Sequence, residues 1–241
     1  MRLDRLLANS GYGSRTAVKD LIRKGKVAVA GSIVTDGGYQ VEDFLKNSIT
    51  IEDSSAKVHK YLHFLLNKPA GVITALEDPK HRTIAEFIPK HLSTVGLFPV
   101  GRLDIDTTGL LLLTNDGTLC HRLASPRWHV DKTYYFELSG KYLGLDDQEK
   151  LKQGLVLADG LVCKPACLEI ITPYSGMLTI QEGKYHQVKR MMKALGGTVT
   201  RLERRTMGPL SLDPALSAGK IRELTESEIN ALYFAVEMSV E

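Results

Sequence analysis

The sequence predicts an α+β protein of two domains, and three observations carry that prediction. Residues 1–57 combine two helical patterns with a hairpin pattern, whereas residues 58–241 alternate apolar strand-like runs with amphipathic helices. A polar stretch at 46–59 is typical of a linker between domains. We therefore expect a small domain of helices plus a hairpin, followed by a larger domain with a mixed, mostly antiparallel sheet and flanking helices.

The small domain begins with leucines at helical spacing between residues 3 and 7. Ser14 is a good N-cap for a second helix, which is expected to run to Lys24 and to end at Gly25. Alternating valines on either side of a Gly-Ser turn then predict a hairpin at 27–34. The order of elements is therefore two helices followed by a hairpin.

Positive charge is concentrated in this domain, because residues 1–26 hold seven Lys or Arg and only two acids. Arg15, Lys19 and Arg23 are four residues apart, so they share one helix face. Cations clustered in this way bind nucleic acid by releasing its counterions, although an ordinary solvated helix face shows the same spacing. The candidate RNA contacts in this domain are Arg2, Arg5, Arg15, Lys19, Arg23 and Lys24.

The larger domain is predicted from apolar runs and helical patterns that are bounded by turn residues. Strands are expected at 61–66, 110–113, 129–138, 166–171 and 177–182. Helices are expected at 83–88, 118–124, 145–153, 188–195 and 225–233. The last helix starts with a capping box of Thr225 and Glu228, and the segment from Gly208 to Leu224 is typical of a hairpin.

Composition and motif content exclude several classes of protein. The chain is 43% hydrophobic and 24% charged, as expected for a globular protein. Its three cysteines predict neither a disulfide framework nor a zinc site. No apolar run approaches the roughly 20 residues of a membrane span, and the charged N-terminus lacks the apolar core of a signal peptide. We expect a cytoplasmic protein with no membrane segment and no metal.

The stretch GRLDIDTTGLLLLTNDG, residues 101–117, is the strongest candidate for a functional site. Its four consecutive leucines predict a buried strand, and a polar loop carrying Arg102, Asp104 and Asp106 precedes them. A polar loop on a rigid strand commonly carries chemistry, although Asp, Thr and Gly are also the ordinary residues of a structural turn.

A second basic region lies at 184–205, with seven Lys or Arg and one acid. Val188, Met191, Met192 and Leu195 follow the i, i+3, i+4, i+7 pattern of an amphipathic helix. We therefore expect a helix that packs its apolar face inward and presents cations to RNA phosphates. The candidate RNA contacts in the larger domain are Lys132, Lys184, Arg190 and Lys193.

These motifs together resemble one enzyme family. The stretch at 101–117 resembles the signature loop of the RsuA-type pseudouridine synthases, which reads G-R-L-D, two variable residues, T, one variable residue, G-L-L-L-L-T-N-D-G. The sequences N-K-P-A-G at 67–71 and E-G-K-Y-H-Q-V-K-R-M at 182–191 resemble two further motifs of that family. Residues 2–45 resemble the S4-like RNA-binding domain, which is named after a small-subunit ribosomal protein.

The resemblance implies isomerisation of uridine to pseudouridine in RNA, a reaction that needs no cofactor and no metal. It implies that Asp104 is the catalytic residue and that Lys189 is the cation paired with it, with Arg102 as a second candidate cation. Tyr134, in a Lys-x-Tyr element, takes the place of the tyrosine that stacks on the target base, unless it is plain core packing. Asp106 is expected to cap its own turn through its side chain.

The Y-H-Q-V-K-R version of the third motif most resembles the branch of the family that acts on small-subunit rRNA. The implied partner is therefore 16S rRNA or a small-subunit ribonucleoprotein, and the implied domains are an S4-like domain with its linker at 1–57 and a synthase domain at 58–241. Two alternatives stay open: large-subunit (23S) rRNA as the substrate, and a catalytically silent RNA-binding protein of ribosome assembly. We expect a monomer.

Overall fold

A nine-stranded mixed sheet dominates the structure, which is a computed structural model describing residues 1–42 and 48–239. The chain forms two compact units. The first contains Met1–His63, Ile88–Phe98 and Thr114–Asp116, and the second contains Phe64–Phe87, Pro99–Leu113 and Gly117–Glu241. The last positions of the S4 resemblance (43–45) and the first of the predicted linker (46 and 47) lie outside the described residues.

The first unit contains two helices and a four-stranded sheet of order β2-β1-β3-β4. The elements are α1 (Leu3–Asn9), α2 (Arg15–Arg23), β1 (Val27–Val29), β2 (Ser32–Ile33), β3 (Ile49–Ile51) and β4 (Ser54–Ser55). The predicted N-cap is confirmed, because the Ser14 hydroxyl accepts the backbone N–H of Ala17 at 3.2 Å. Leu6, Ile22 and Val27 are fully buried in the core between helices and sheet.

The large sheet belongs mainly to the second unit and has the order β11-β12-β8-β13-β7-β5-β15, with β14 paired to β13 and β6 to β7. Its strands are β5 (His63–Lys68), β6 (Phe98–Pro99), β7 (Thr108–Thr114), β8 (Lys132–Ser139), β11 (Cys167–Thr172), β12 (Ser175–Ile180), β13 (Thr198–Met207), β14 (Leu210–Ser211) and β15 (Ile221–Glu223). A separate two-stranded ribbon joins β9 (Leu155–Val156) to β10 (Val162–Cys163).

Four helices accompany this sheet: α3 (Gly117–Ala124), α4 (Leu145–Gln153), α5 (Gln187–Ala194) and α6 (Glu226–Ala235). Short 3₁₀ turns cover Ile84–Phe87, Lys90–Leu92 and Pro126–Trp128. Strands β7 and β13 run parallel, whereas β8 is antiparallel to both β12 and β13. The predicted α+β class with a mixed, mostly antiparallel sheet is confirmed.

Strand β7 positions the functional loop that precedes it. Its leucines, Leu110 to Leu113, are fully buried, as the sequence predicts for an inner strand. Gly109 is needed at its start, because φ is +98° and a Cβ there would lie 2.4 Å from the carbonyl oxygen of Arg204 on β13. The close approach of these two backbones fixes the end of the loop that carries Asp104.

Three local predictions are wrong. The segment 208–224 is not a hairpin, because β14 pairs with β13 and β15 pairs with β5. The helix expected at 83–88 is a single 3₁₀ turn. The longest strand, β13, was not predicted at all. Among the described residues, no helix is long and apolar enough to cross a membrane.

Candidate active site

The loop that carries Asp104 is held by residues 68–74. This segment begins at the last residue of β5, which is the neighbour of β7 in the sheet. The Lys68 ammonium donates to three carbonyl oxygens: 3.0 Å to Pro69, 3.1 Å to Asp104 and 2.9 Å to Thr107. The backbone N–H of Gly71 donates to the carbonyl of Ile105 at 2.8 Å. The backbone of the loop is therefore fixed from one side, while its side chains are available on the other.

Lys68 itself is fully buried, and it was not predicted to have a role beyond its place in the N-K-P-A-G motif. Burial lowers the pKa of its ammonium from 10.5 to about 8, although the charges of Asp106 and Asp104 oppose that shift. A cation in this position stabilises several backbone carbonyls at once, and its positive charge lies close to both carboxylates of the loop. The motif N-K-P-A-G was the available signal for this function.

Asp104 and Asp106 share the ammonium of Lys189, which reaches them from α5. The Lys189 nitrogen lies 3.0 Å from the Asp104 carboxylate and 2.5 Å from that of Asp106. Burial by itself would lower the pKa of Lys189, but hydrogen bonds from its ammonium to Asp106 and Asp104 outweigh burial and raise it. Lys189 is therefore firmly charged, and its ammonium places a positive charge 3.0 Å from the Asp104 carboxylate.

Asp106 differs from the expectation that its side chain serves its own turn. Its carboxylate accepts a hydrogen bond from Lys189, 83 positions further along the chain. Burial raises the pKa of Asp106, but the hydrogen bond and charge of Lys189 lower it overall. Since its side chain is 66% exposed and that of Asp104 is only 27% exposed, Asp106 forms the outer edge of the cluster.

Two aromatic rings next to Asp104 were not among the predicted site residues. The Nε2 atom of His186 lies 3.5 Å from an Asp104 carboxylate oxygen. Its imidazole is stacked on the ring of Tyr185, with centroids 3.8 Å apart and an interplanar angle of 18°. His186 precedes α5 with φ at +49°, a left-handed conformation that is uncommon outside glycine. Both residues belong to the third motif, which was the available signal.

The Asp104 carboxylate opens into a cleft of about 400 Å³, part of it open to solvent. Tyr134, on β8, is 7% exposed and lines the same cleft, so the two predicted residues share one site. Arg102 is exposed at the cleft and has no carboxylate partner among the described residues. The lining also includes apolar and polar side chains of neighbouring strands and of α5: Leu103, Thr107, Ile180, Lys184, His186, Gln187, Val188 and Leu202.

The predicted RNA contacts of the second unit differ in burial and in their ion-pair partners. Lys132 is buried, and its ammonium donates to the carbonyl of Val130 at 2.9 Å, so its prediction as an RNA contact is corrected. Lys184 is half-buried and lies 3.1 Å from Glu182. Arg190 pairs with Asp159. Lys193 is exposed on α5.

Two aspartates neutralise part of the basic surface of the first unit. The ion pairs join Arg2 and Lys19 to Asp4, and Arg23 and Lys24 to Asp20. Arg5 and Arg15 are exposed, and neither has an ion-pair partner in the described part of the chain. The helix face predicted from spacing thus exists, with a smaller net charge than its cations alone suggest.

The site offers a carboxylate and an aromatic ring within one cleft, and a lysine ammonium 3.0 Å from that carboxylate. A carboxylate in such a setting can act as a nucleophile or can stabilise a developing positive charge. Within residues 1–42 and 48–239, no three His, Cys, Asp or Glu side chains are grouped so that they could hold a metal ion.

Comparisons with known proteins identify the family of the chain. The RNA pseudouridylate synthase family matches residues 62–194, and the S4 domain family matches residues 1–44. An RNA pseudouridine synthase of Bacillus subtilis, YtzG, named as uncharacterized, is 44% identical over 236 residues, which cover 96% of this chain and 98% of the relative. The ribosomal small subunit pseudouridine synthase A of Escherichia coli is 40% identical over 231 residues, covering 95% and 98%.

A crystal structure of a pseudouridylate synthase superposes with a TM-score of 0.68 at 38% identity, covering 96% of this chain and 99% of that one. Fold, site and relatives thus define an RNA-modifying isomerase with an N-terminal S4 domain. The chain belongs to the RNA pseudouridylate synthase family and has pseudouridine synthase activity on RNA.

Proposed function

We propose that this enzyme isomerises one specific uridine of 16S rRNA to pseudouridine, with Asp104 as the catalytic residue. Similarity along nearly the whole chain to a synthase named for the ribosomal small subunit supports the substrate. The Y-H-Q-V-K-R sequence at 185–190 supports the same branch of the family. The pairing of Asp104 with Lys189, 3.0 Å apart at the cleft, is the observation that carries the catalytic assignment.

The reaction breaks the bond between C1′ of the ribose and N1 of the base, turns the base, and forms a bond from C1′ to C5. C5 loses a proton and N1 gains one, so the atoms of substrate and product are the same and no electron donor or acceptor is required. Asp104 acts on C1′ or on C6 as a nucleophile, or it stabilises an electron-poor sugar at C1′. Each role needs an ionised carboxylate, which Lys189 stabilises.

The target uridine must leave its stack to reach Asp104, which costs a few kcal/mol. Tyr134 supplies an aromatic ring at the cleft and recovers part of the lost stacking. Arg102 is exposed and lines the cleft. Its guanidinium contacts an RNA phosphate or occupies the space that the flipped base leaves in the stack. The base is thus held between an aromatic face and the catalytic carboxylate.

The remaining cations grip the RNA backbone without reading its sequence. Lys184 precedes α5, and Arg190 and Lys193 lie on that helix. The exposed Arg5 and Arg15 add a second set of contacts from the S4 unit. We propose a domain boundary at 57/58, a cytoplasmic location and a monomeric enzyme that recognises 16S rRNA or a small-subunit ribonucleoprotein.

Pseudouridine mapping of both rRNAs tests the proposal, in cells lacking this protein and in the same cells complemented with wild type or with Asp104→Asn. We expect one small-subunit position to lose its pseudouridine and to regain it only with wild type. Loss from large-subunit rRNA would overturn the substrate and keep the chemistry. Restoration by Asp104→Asn would overturn the catalytic assignment, and intact modification of both rRNAs would point to another RNA or to binding alone.

A further inference from the structure

We propose that the exposed ring of Tyr185 is a stacking platform for a nucleobase adjacent to the target uridine, an inference that rests on the proposed function. Tyr185 is 75% exposed, which leaves most of its ring open to solvent. Its other face is covered by the His186 imidazole at 3.8 Å and 18°. One side of this two-ring stack is therefore already occupied, and the other is available to a third flat ring.

The stack begins at the catalytic carboxylate. His186 Nε2 lies 3.5 Å from Asp104, and the ring of Tyr185 is stacked on His186. A base on the open face of Tyr185 would therefore be separated from Asp104 by two rings. That separation suits a nucleotide next to the target in the RNA chain.

The rings are held in this arrangement by the segment that carries them. His186 adopts φ +49°, and a non-glycine residue keeps such a conformation only where its surroundings enforce it. The buried Gln187 provides this constraint, because its side chain accepts the backbone N–H of Lys184 at 3.0 Å and donates to the carboxylate of Glu182 at 2.6 Å. The platform is thus preorganised before any RNA binds.

The surroundings of Tyr185 favour a nucleotide over a protein partner. Its carbonyl accepts a hydrogen bond from Arg190 at 3.4 Å, and Lys184 is its immediate neighbour in the chain. An exposed aromatic face next to cations is how proteins bind single-stranded nucleic acid, with stacking for the base and positive charge for the phosphate. The ligand we infer is one unpaired nucleotide flanking the flipped uridine.

The test measures KM and kcat for Tyr185→Ala and Tyr185→Phe on an RNA fragment containing the mapped target uridine. Stacking on an aromatic ring changes affinity by about 5- to 150-fold per base. We expect Tyr185→Ala to raise KM within that range while kcat changes less, and Tyr185→Phe to retain wild-type KM, because it keeps the ring. Tyr142→Ala is the control: Tyr142 is 69% exposed and pairs with Tyr174 instead.

A second set of substrates carries an abasic nucleotide immediately before or immediately after the target. If Tyr185 stacks on one of these bases, the abasic substrate that lacks this base has a higher KM with wild type. On that substrate, wild type and Tyr185→Ala should have the same KM. The inference is overturned if Tyr185→Ala has the KM of wild type on the intact fragment. It is also overturned if Tyr185→Ala keeps a higher KM than wild type on both abasic substrates. Conversion of uridine to pseudouridine by wild type on the fragment without an abasic nucleotide tests the proposed function separately. Failure of the proposed function can therefore be distinguished from failure of the stacking inference.

Discussion

Replacement of Lys68 by methionine should destabilise the protein and reduce turnover, because the Lys68 ammonium holds the backbone of the loop that we propose to be catalytic. Methionine keeps most of the buried stem and removes the ammonium, which donates to the carbonyls of Pro69, Asp104 and Thr107. Hydrogen bonds to a charged group contribute about 1.5–3 kcal/mol each, so the three together amount to about 4.5–9 kcal/mol. These carbonyls would be left without that donor.

The loss is partly offset, because burying the ammonium is itself unfavourable. A fall of the pKa of Lys68 from 10.5 to about 8 corresponds to about 3 kcal/mol that the folded state no longer bears in the variant. The net destabilisation of Lys68→Met is then about 1–6 kcal/mol. We expect a lower urea midpoint and, since Asp104 loses its fixed backbone, a kcat reduced more than KM is raised.

Lys132→Met is the matched control. Lys132 is also buried, and burial together with the charge of Arg204 lowers its pKa to about 8, but its ammonium donates to a single carbonyl, that of Val130. The burial cost of about 3 kcal/mol that the variant avoids then equals or exceeds the one lost hydrogen bond of about 1.5–3 kcal/mol, so Lys132→Met should be neutral or stabilising. Equal effects of the two substitutions, or wild-type stability and turnover in Lys68→Met, would refute the reasoning.

The same substitution predicts a pH dependence. The folded-state pKa of Lys68 lies below its unfolded value, so the unfolded chain binds more protons between pH 8 and 10.5. The additional stability that arises from this difference in pKa is complete above pH 10.5 and is lost as the pH falls through 8, where only the net contribution of the charged ammonium remains. The difference in unfolding free energy between wild type and Lys68→Met should therefore widen as the pH rises through this window, as urea titrations at several pH values would show.

Three further predictions concern the loop, its strand and the C-terminal helix. Asp104→Asn should lower kcat by about a thousandfold or more, whereas Asp106→Asn should change it by about fivefold at most, because an ion pair at a 66% exposed carboxylate contributes about 1 kcal/mol or less; kinetics on one RNA compares them. Gly109→Ala should destabilise by more than the roughly 1–3 kcal/mol of an overpacked core site, since its Cβ would meet backbone at 2.4 Å, and a thermal melt would detect this. The hydrogen bond from Arg222 lowers the pKa of Glu228 to about 2, so its stabilising contribution should be lost as the pH falls from 4.5 to 2, and Glu228→Gln should remove that dependence in acid denaturation curves.

The sequence was a good guide where a pattern is local. Helix α4 was predicted with its observed bounds, Leu145–Gln153, and the capping box of Thr225 and Glu228 forms as expected. Strand β13 escaped prediction because it carries charges on both faces, with Glu203 and Arg204 both buried, and because two register shifts interrupt its alternation. Local periodicity cannot reveal a strand whose charged residues are paired inside the fold.

The features of the candidate site also differ in how far the sequence could predict them. The proximity of Asp104 and Lys189 could be expected only from a resemblance, because 85 positions separate them and neither residue carries a spacing signal for the other. Lys68 was not recognised because a lysine before a proline is typical of an exposed turn. Its burial depends on three carbonyls that converge only in the folded structure. Three-dimensional convergence of this kind is outside the reach of sequence patterns.

The catalytic loop illustrates why its supporting residues should affect turnover more than binding. The carbonyls of Leu103, Asp104, Ile105 and Thr107 all accept hydrogen bonds from residues 68–74. These four carbonyls are thus hydrogen-bonded on that side of the loop. A substitution within 68–74 should leave the proposed phosphate-binding cations in place and move the Asp104 carboxylate. Because a displacement of about 1 Å can cost a hundredfold in rate, this loss should be found in kcat.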